Sequence, residues 1–251
     1  MPPAVLPTDL QHRYADVNGI RMHYVEAGSG EPVVFLHGFP ETWYSWRHQI
    51  AALAPDYRVI APDLRGYNET EAREPYDTGT LQEDVLGLIR ELGETRVHLV
   101  AHDWGGAIAW LLGMYHPEAL RTLTVCNLPH PALMAEGLKR PRQMMRSWYI
   151  AFFQLPWLPE RALALRNYHL LARVLINDCR PGTYTREDIK HYLESWRRSG
   201  LRRAAELALG RVPSRRRQPM RAPLPTISDA DAALILGRRG HRAGQGAHVR
   251  N

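Results

Sequence analysis

Residues Arg96–Tyr115 read RVHLVAHDWGGAIAWLLGMY. The first half, Val97–Ala101, is a short apolar run with two valines, which predicts a strand buried on both faces of a parallel sheet. The second half, from Ala107 onward, is rich in apolar helix formers and meets no proline before Pro117, which predicts a helix. A strand, a tight turn and a helix in direct succession therefore decide the fold class.

Asp103 lies at the centre of the turn between this strand and this helix. Small residues stand two positions to either side of it, Ala101 and Gly105, as in the G-x-S-x-G elbow that presents the nucleophile of many hydrolases. A carboxyl group, with a reference pKa near ~4, is ionised at neutral pH and needs no neighbouring base to become nucleophilic. It can displace a leaving group at saturated carbon and form an ester that water then hydrolyses. The alternative is that Asp103 only caps the helix, a position that aspartate favours.

The composition is that of an ordinary globular protein: 251 residues, 45% hydrophobic and 23% charged. No window reaches the roughly 18 consecutive apolar residues of a membrane span, and the N-terminus lacks the pattern of a signal peptide, so we expect a cytoplasmic protein without membrane contact. Cys126 and Cys179 lack metal-ligand spacing and are predicted to be reduced thiols. We expect neither a metal nor a cofactor.

The net charge of +6 is unevenly distributed along the chain. Residues 197–251 contain 13 arginines, no lysine and three acidic residues, a net charge of +10, whereas residues 1–196 carry −4. Because the basic residues belong to one segment, we do not expect the rest of the chain to bind nucleic acid.

Strands and helices alternate from the N-terminal hairpin onward, which predicts an α/β fold with a mostly parallel sheet. An Asn18-Gly19 turn joins the two alternating runs of the hairpin. The later predicted strands are Pro32–Leu36, Tyr57–Ala61, Val97–Ala101 and Arg121–Cys126, and the predicted helices are Trp46–Leu53, Leu81–Leu92 and a helix through Trp196 capped by Thr185 and Asp188. Ligands of such sheets bind at the carboxyl ends of the strands, where four polar residues stand: His37, Asp63, Asp103 and Asn127.

The pattern changes after Pro131 to helical stretches rich in Trp, Tyr and Arg, without a convincing buried strand. We therefore predict three segments. Residues 1–130 form the α/β core, residues 131–201 form a helical lid inserted after the sixth strand, and residues 202–251 form a basic tail.

Five motifs closely resemble, in their order, the epoxide hydrolase branch of the α/β-hydrolase fold, whose near relatives are the haloalkane and haloacetate dehalogenases: HGFPETWYSWRHQI, PDLRGYN, HDWGGAIAW, NLPHP and RSWYIAFFQLPWLPE. The resemblance covers residues 14–201. It implies that Asp103 is the nucleophile and that the backbone N–H groups of Phe39 and Trp104 form an oxyanion hole, which holds negative charge when water attacks the ester. The implied substrate is a small apolar epoxide or organohalide, with water as the second reactant.

Tyr149 matches the first of the lid tyrosines with which epoxide hydrolases protonate the epoxide oxygen as the ring opens. A phenol suits this step, because a pKa near ~10 keeps it protonated at neutral pH beside a strongly basic alkoxide. The alternative is that Tyr149 is a core aromatic of the lid. We expect His37, Trp148 and Phe153 to line the substrate pocket, and we do not expect His37 to be the catalytic base.

The chain departs from the family pattern after Leu201. Complete family members continue with two strands that carry a catalytic Asp and the catalytic His, and we expect both strands to be missing here. The segment from residue 197 lacks Phe, Trp and Tyr, so the tail is predicted to be disordered, and we attribute it to a reading-frame shift in a GC-rich gene. Two alternatives remain open: His241 could act as base with Asp229 or Asp231, or the tail could be a basic arm for anionic surfaces.

The leading hypothesis is an epoxide hydrolase-type enzyme that converts an epoxide to a diol through a covalent ester on Asp103. A dehalogenase-like hydrolase is the alternative within the same class. Tyr149 and the HGFPE motif favour the epoxide, whereas Trp104, which could donate to a halide, is common to both branches. The alternative from another class is a catalytically incomplete fragment that lacks the base.

Overall fold

A seven-stranded sheet with helices on both faces forms the centre of the protein. The computed structural model describes residues 5–133, 166–177 and 179–200 and the backbone of residues 232–233. The strand order is β1-β2-β4-β3-β5-β6-β7. The first two pairings, β1 with β2 and β2 with β4, are antiparallel and the others are parallel, which confirms the predicted fold class. The strands are β1 (Gln11–Val17), β2 (Ile20–Ala27), β3 (Pro32–Leu36), β4 (Arg58–Pro62), β5 (Val97–His102), β6 (Leu120–Cys126) and β7 (Ala232–Ala233).

The edge hairpin is set by its two-residue turn. Asn18 and Gly19 have φ angles of 45° and 76°, as a type I′ turn requires at both central positions. Val17 therefore pairs with Ile20, and the register runs on to Gln11 opposite Glu26. The prediction of a hairpin around Asn18-Gly19 is confirmed.

The helices of the described residues lie close to their predicted positions. Asp77 caps the second helix by accepting a hydrogen bond from the Thr80 N–H at 3.1 Å, so this helix begins three residues earlier than its apolar stripe indicates. None of the described helices has both the length and the apolar character that a membrane crossing needs. The α-helices are α1 (Arg47–Leu53), α2 (Thr78–Glu91), α3 (Asp103–Tyr115), α4 (His169–Asn177) and α5 (Arg186–Ser199), with 3-10 turns at Trp43–Trp46 and Pro117–Ala119.

Two apolar clusters hold the helices against opposite faces of the sheet. On one face, α1 and the preceding 3-10 turn pack through Trp43, Trp46 and Ile50. On the other face, α2 and α3 pack together with Tyr192 and Trp196 of α5.

The burial of β5 differs from the prediction of a strand buried on both faces. Val97, Leu99 and Ala101 are buried, but the alternate positions His98, Val100 and His102 are only half-buried. The reason is polar contact on that second face, where the His98 imidazole lies 2.9 Å from the Thr122 hydroxyl and 3.2 Å from a Glu31 carboxylate oxygen.

The described part of the lid ends in the predicted capped helix. The Thr185 hydroxyl accepts from the Asp188 N–H at 3.1 Å, while the Asp188 carboxylate accepts from the Thr185 N–H at 2.7 Å, which is a complete capping box. Gly200 ends α5 with a φ of 71°. The predicted three-segment division stays a prediction, because most of the lid and of the tail lies outside the described residues.

One strand comes from the tail segment. β7 has two residues and pairs in parallel with Leu123 and Thr124 of β6. The remainder of residues 201–251 is outside the described part of the chain, so the prediction that the last two family strands are missing stays a prediction.

Candidate active site

Asp103 occupies a strained turn between β5 and α3. Its φ angle is 50°, a left-handed conformation that non-glycine residues rarely adopt and that clusters at functional sites. The interpretation of Asp103 as a simple helix cap is wrong, because His102 is the N-cap residue of α3 and makes no side-chain capping bond. The Asp103 carboxylate instead contacts a different loop of the protein.

Three glycines make room for this turn. A Cβ atom on Gly105 would lie 2.6 Å from the backbone oxygens of Leu36 and His37, and one on Gly106 would lie 2.9 Å from Val125 Cγ1. A Cβ atom on Gly38 would lie 2.7 Å from Asp103 Oδ1. The loops after β3 and β5 therefore approach so closely that only glycine fits at these positions.

The Phe39 N–H donates a hydrogen bond to Asp103 Oδ1 at 2.9 Å. This donor and the N-terminus of α3 both favour negative charge on the carboxylate. A donor held at this position can also stabilise an oxyanion that forms when the Asp103 ester is attacked. The predicted second donor, the Trp104 N–H, follows Asp103 as the second residue of α3, and its role stays a prediction.

Glu41 and His102 form a polar contact beside the elbow that the sequence analysis did not identify. Glu41 Oε2 lies 3.2 Å from His102 Nδ1, and the other ring nitrogen lies 3.3 Å from Asn127 Nδ2. Burial acts to raise the pKa of Glu41, but the hydrogen bond and charge of His102 and the smaller effects of His37 and Gly38 together outweigh it, and the pKa of Glu41 is lowered. Glu41 therefore holds a negative charge next to His102, the residue that precedes Asp103. The sequence signal for this contact was limited to the position of Glu41 at the end of the HGFPE motif.

His37 is fully buried and connects two loops. Its Nε2 accepts from the Leu64 N–H at 3.0 Å, so the proton is on Nδ1, which donates to the Gly38 oxygen at 2.9 Å. Burial lowers the pKa of His37, which keeps the ring neutral. These contacts support the expectation that His37 orients the loop and is not a base, and its predicted place in the pocket wall stays a prediction.

Asp63 also stands at a strand end, but its contacts are structural. The fully buried carboxylate accepts hydrogen bonds from the Trp43 N–H at 3.0 Å and the Asn68 side chain at 2.8 Å, and it lies 2.7 Å from His23 Nδ1. Both carboxylate oxygens of Asp63 are engaged in these contacts, which hold the neighbouring loops together. Position at a strand end alone therefore did not separate Asp63 from Asp103.

Helix α5, in the segment predicted to form the lid, is joined to the core by a buried polar cluster. Asp188 Oδ1 accepts from the Tyr44 hydroxyl at 2.9 Å and pairs with Arg47 Nε at 3.0 Å. Burial and the hydrogen bond to Asp188 raise the pKa of Tyr44 to about 12, so the phenol stays protonated and donates. Asp188 therefore both caps α5 and docks it on the core.

Three predicted site residues, Tyr149, Trp148 and Phe153, lie outside the described residues. Within the described part of the chain, Cys126 and Cys179 form no disulfide, and no three His, Cys, Asp or Glu side chains converge as a set of metal ligands.

Comparison with known proteins matches this architecture. The family model of the alpha/beta hydrolase fold matches residues 31–208. The AB hydrolase superfamily protein YfhM of Bacillus subtilis is 42% identical over 195 residues, which are 75% of this chain and 68% of that protein. Human epoxide hydrolase 4 is 41% identical over 207 residues, 76% of this chain but only 57% of the human protein. The chain thus spans little more than half of that relative.

The similarity also holds for the three-dimensional structure. The epoxide hydrolase of Bacillus megaterium, in complex with an inhibitor, superposes with a TM-score of 0.79 at 30% identity, covering 89% of this chain and 82% of that one. The chain belongs to the epoxide hydrolase branch of the α/β-hydrolase family.

Proposed function

We propose that this chain carries out epoxide hydrolase chemistry with Asp103 as the nucleophile. The observation that carries the proposal is the carboxylate itself, held on a turn with φ of 50° and oriented by the Phe39 N–H at 2.9 Å. A serine at this position would need an adjacent base, whereas an ionised aspartate can attack carbon directly. The names of the relatives support an epoxide as the substrate class.

The first step opens the epoxide ring. One Asp103 carboxylate oxygen forms a bond to a ring carbon, the carbon–oxygen bond of the ring breaks, and its electron pair goes to the epoxide oxygen. Tyr149 gives its phenolic proton to that oxygen and later regains a proton from water. The product of this step is a 2-hydroxyalkyl ester of Asp103.

The second step hydrolyses the ester. Water attacks the ester carbonyl carbon, the Phe39 and Trp104 N–H groups hold the oxyanion, and the diol leaves as the Asp103 carboxylate returns. This step needs a base to activate the water. Neutral His37 is committed to two backbone hydrogen bonds, so we propose that the ester forms faster than it is hydrolysed in this chain.

Mass spectrometry of the intact protein after addition of styrene oxide tests the first step. We expect an increase equal to the mass of one epoxide, mapped by peptide analysis to the segment that contains Asp103, and no such adduct on the matched Asp103→Asn variant. Absence of the adduct from the wild type, or the same adduct on the variant, contradicts the proposal. An organohalide that modifies Asp103 faster than the epoxide would favour the dehalogenase alternative.

Diol release in the same samples tests the second step. We expect the adduct to persist and diol to reach no more than about one equivalent per protein, because neutral His37 is held by two backbone hydrogen bonds and does not activate water for ester hydrolysis. Sustained diol release that Asp103→Asn abolishes would show complete turnover and would contradict the expectation that the ester accumulates.

A further inference from the structure

A single turn presents the hydrogen-bond donor to the nucleophile. The Glu41 N–H donates to the Gly38 oxygen at 2.9 Å and closes a four-residue turn with Phe39 and Pro40 at its centre. We call residues 38–41 the donor turn. The Phe39 N–H of the donor turn contacts Asp103, and the Glu41 carboxylate contacts His102. The donor turn therefore makes two contacts with the elbow.

The third contact of the donor turn comes from the lid. The indole N–H of Trp196, in α5, donates to the Pro40 backbone oxygen at 2.6 Å, across 156 positions of sequence. The Trp196 side chain is only 1% exposed, and it stacks on Tyr192 with ring centroids 5.9 Å apart. An indole fixed in a packed layer is a rigid donor, because neither the ring nor its N–H can move without repacking the layer.

α5 itself is anchored on both sides of Trp196. About two turns earlier, Asp188 binds Tyr44 and Arg47 of the core, and two residues after Trp196, Arg198 donates to the Asn68 side chain at 2.9 Å. The position of the indole relative to the core is therefore set by contacts on either side of it.

We propose that Trp196 is a positioning residue of the reaction: through the Pro40 carbonyl it holds the donor turn so that the Phe39 N–H stays directed at the Asp103 carboxylate. The inference rests on the proposed function of Asp103. The physical reason is geometric, since hydrogen bonds weaken steeply as their angle falls below about 120°, and small displacements of a preorganised donor reduce its effect on the rate. By this inference the lid acts on the catalytic turn as well as covering the site.

The test replaces one indole at a time. Trp196→Phe removes the N–H but keeps an aromatic ring. Trp110→Phe is the matched control, because Trp110 is 6% exposed and its indole N–H also donates to a backbone oxygen, that of Leu128, at 3.2 Å. Both changes remove one indole–carbonyl hydrogen bond, but only the first touches the donor turn. If Trp196→Phe does not fold, 3-benzothienylalanine at position 196 keeps the bicyclic shape without the N–H.

The first readout is the rate at which styrene oxide modifies Asp103 as a function of its concentration. For Trp196→Phe we expect the maximal rate to fall about tenfold, because a less firmly directed Phe39 N–H orients the attacking Asp103 carboxylate less well, with the half-saturating concentration unchanged. Trp110→Phe should match the wild type. Equal maximal rates in wild type and Trp196→Phe, or equal losses in both variants, overturn the inference.

The second readout does not depend on the reaction. Amide hydrogen exchange in the peptide that contains the donor turn should be faster in Trp196→Phe than in Trp110→Phe, because the Phe39 N–H is less firmly held. If the wild type forms no adduct, the proposed function fails, and the exchange measurement alone decides whether Trp196 holds the turn. Unchanged exchange in that peptide then overturns the inference.

Discussion

At the residue scale, the site depends on how closely the loops after β3 and β5 approach each other. Gly38 faces the Asp103 side chain, and the Phe39 N–H reaches Asp103 Oδ1 only because no side chain stands between the loops. The strained φ angle of Asp103 is held by this packing and by the start of α3. The close packing of the two loops therefore also sets the orientation of the Asp103 carboxylate.

Substitution Gly38→Ala tests this dependence. The added methyl would contact the Asp103 side chain, so we expect a loss of about 1–3 kcal/mol in the free energy of unfolding, as for overpacked sites, and near-complete loss of Asp103 modification by styrene oxide. Gly79→Ala is the control, since its nearest neighbour is a side-chain oxygen of Asp77 at 3.1 Å and alanine favours the helix. Urea unfolding and adduct formation measure the two effects. Full adduct formation by Gly38→Ala would contradict the close approach.

At the element scale, helix α5 joins the segment predicted to form the lid to the core. Its first turn is stabilised locally by the capping box of Thr185 and Asp188. The same Asp188 carboxylate is paired with the buried Arg47 guanidinium, whose side chain is 6% exposed. One residue therefore serves both the helix and its docking, and the two contributions have different magnitudes.

The two contributions can be separated by substitution. Thr185→Ala removes part of the cap and should cost about 1 kcal/mol. Asp188→Ala also leaves the buried Arg47 charge unpaired and should cost about 3–5 kcal/mol. The measurement is the free energy of unfolding in urea. Equal losses for the two variants would mean that Asp188 acts only as a cap, and a smaller loss in Arg47→Met/Asp188→Leu than in Asp188→Ala would confirm that the unpaired charge is the main cost.

At the scale of the whole molecule, acid destabilises the fold through two kinds of group. Burial lowers the pKa of His37 and His191 from the ordinary value of 6.5, so the folded state binds fewer protons there than the unfolded chain. Burial acts to raise the pKa of Glu41 and Asp188, but hydrogen bonds and neighbouring positive charges together outweigh it and lower both pKa values below the ordinary 4.5 and 3.8. For both kinds of group, the unfolded chain binds more protons than the folded protein, so a fall in pH favours unfolding.

The directions of these pKa shifts predict that the protein loses stability in two stages as the pH falls. The histidine contribution is complete above pH 6.5 and decreases as the pH falls below that value, and the carboxylate contribution decreases as the pH falls below about 4.5. Urea unfolding between about pH 8 and about pH 3 measures both stages. We expect the His191→Gln variant to lose less stability than the wild type between pH 7 and pH 5. Stability that increases on acidification through this range would contradict the assignment.

The sequence by itself determined the local features of this protein. Asn18-Gly19 predicts its hairpin, Thr185 and Asp188 predict the start of a helix, and HDWGG predicts the elbow at Asp103, because each is set by backbone conformations or close contacts that only certain residues permit within a few positions. The order of these features along the chain was enough to predict the fold class and the family.

Only the tertiary structure decided which distant groups meet. It made Asp63 a structural residue although it stands at a strand end like Asp103, it paired Glu41 with His102, and it brought Trp196 onto Pro40 across 156 positions. Such contacts depend on how helices and loops pack, and side-chain directions across packed layers follow from the whole core and from no local pattern. The elbow at Asp103 could therefore be found in the sequence, whereas the groups that hold it in place could not.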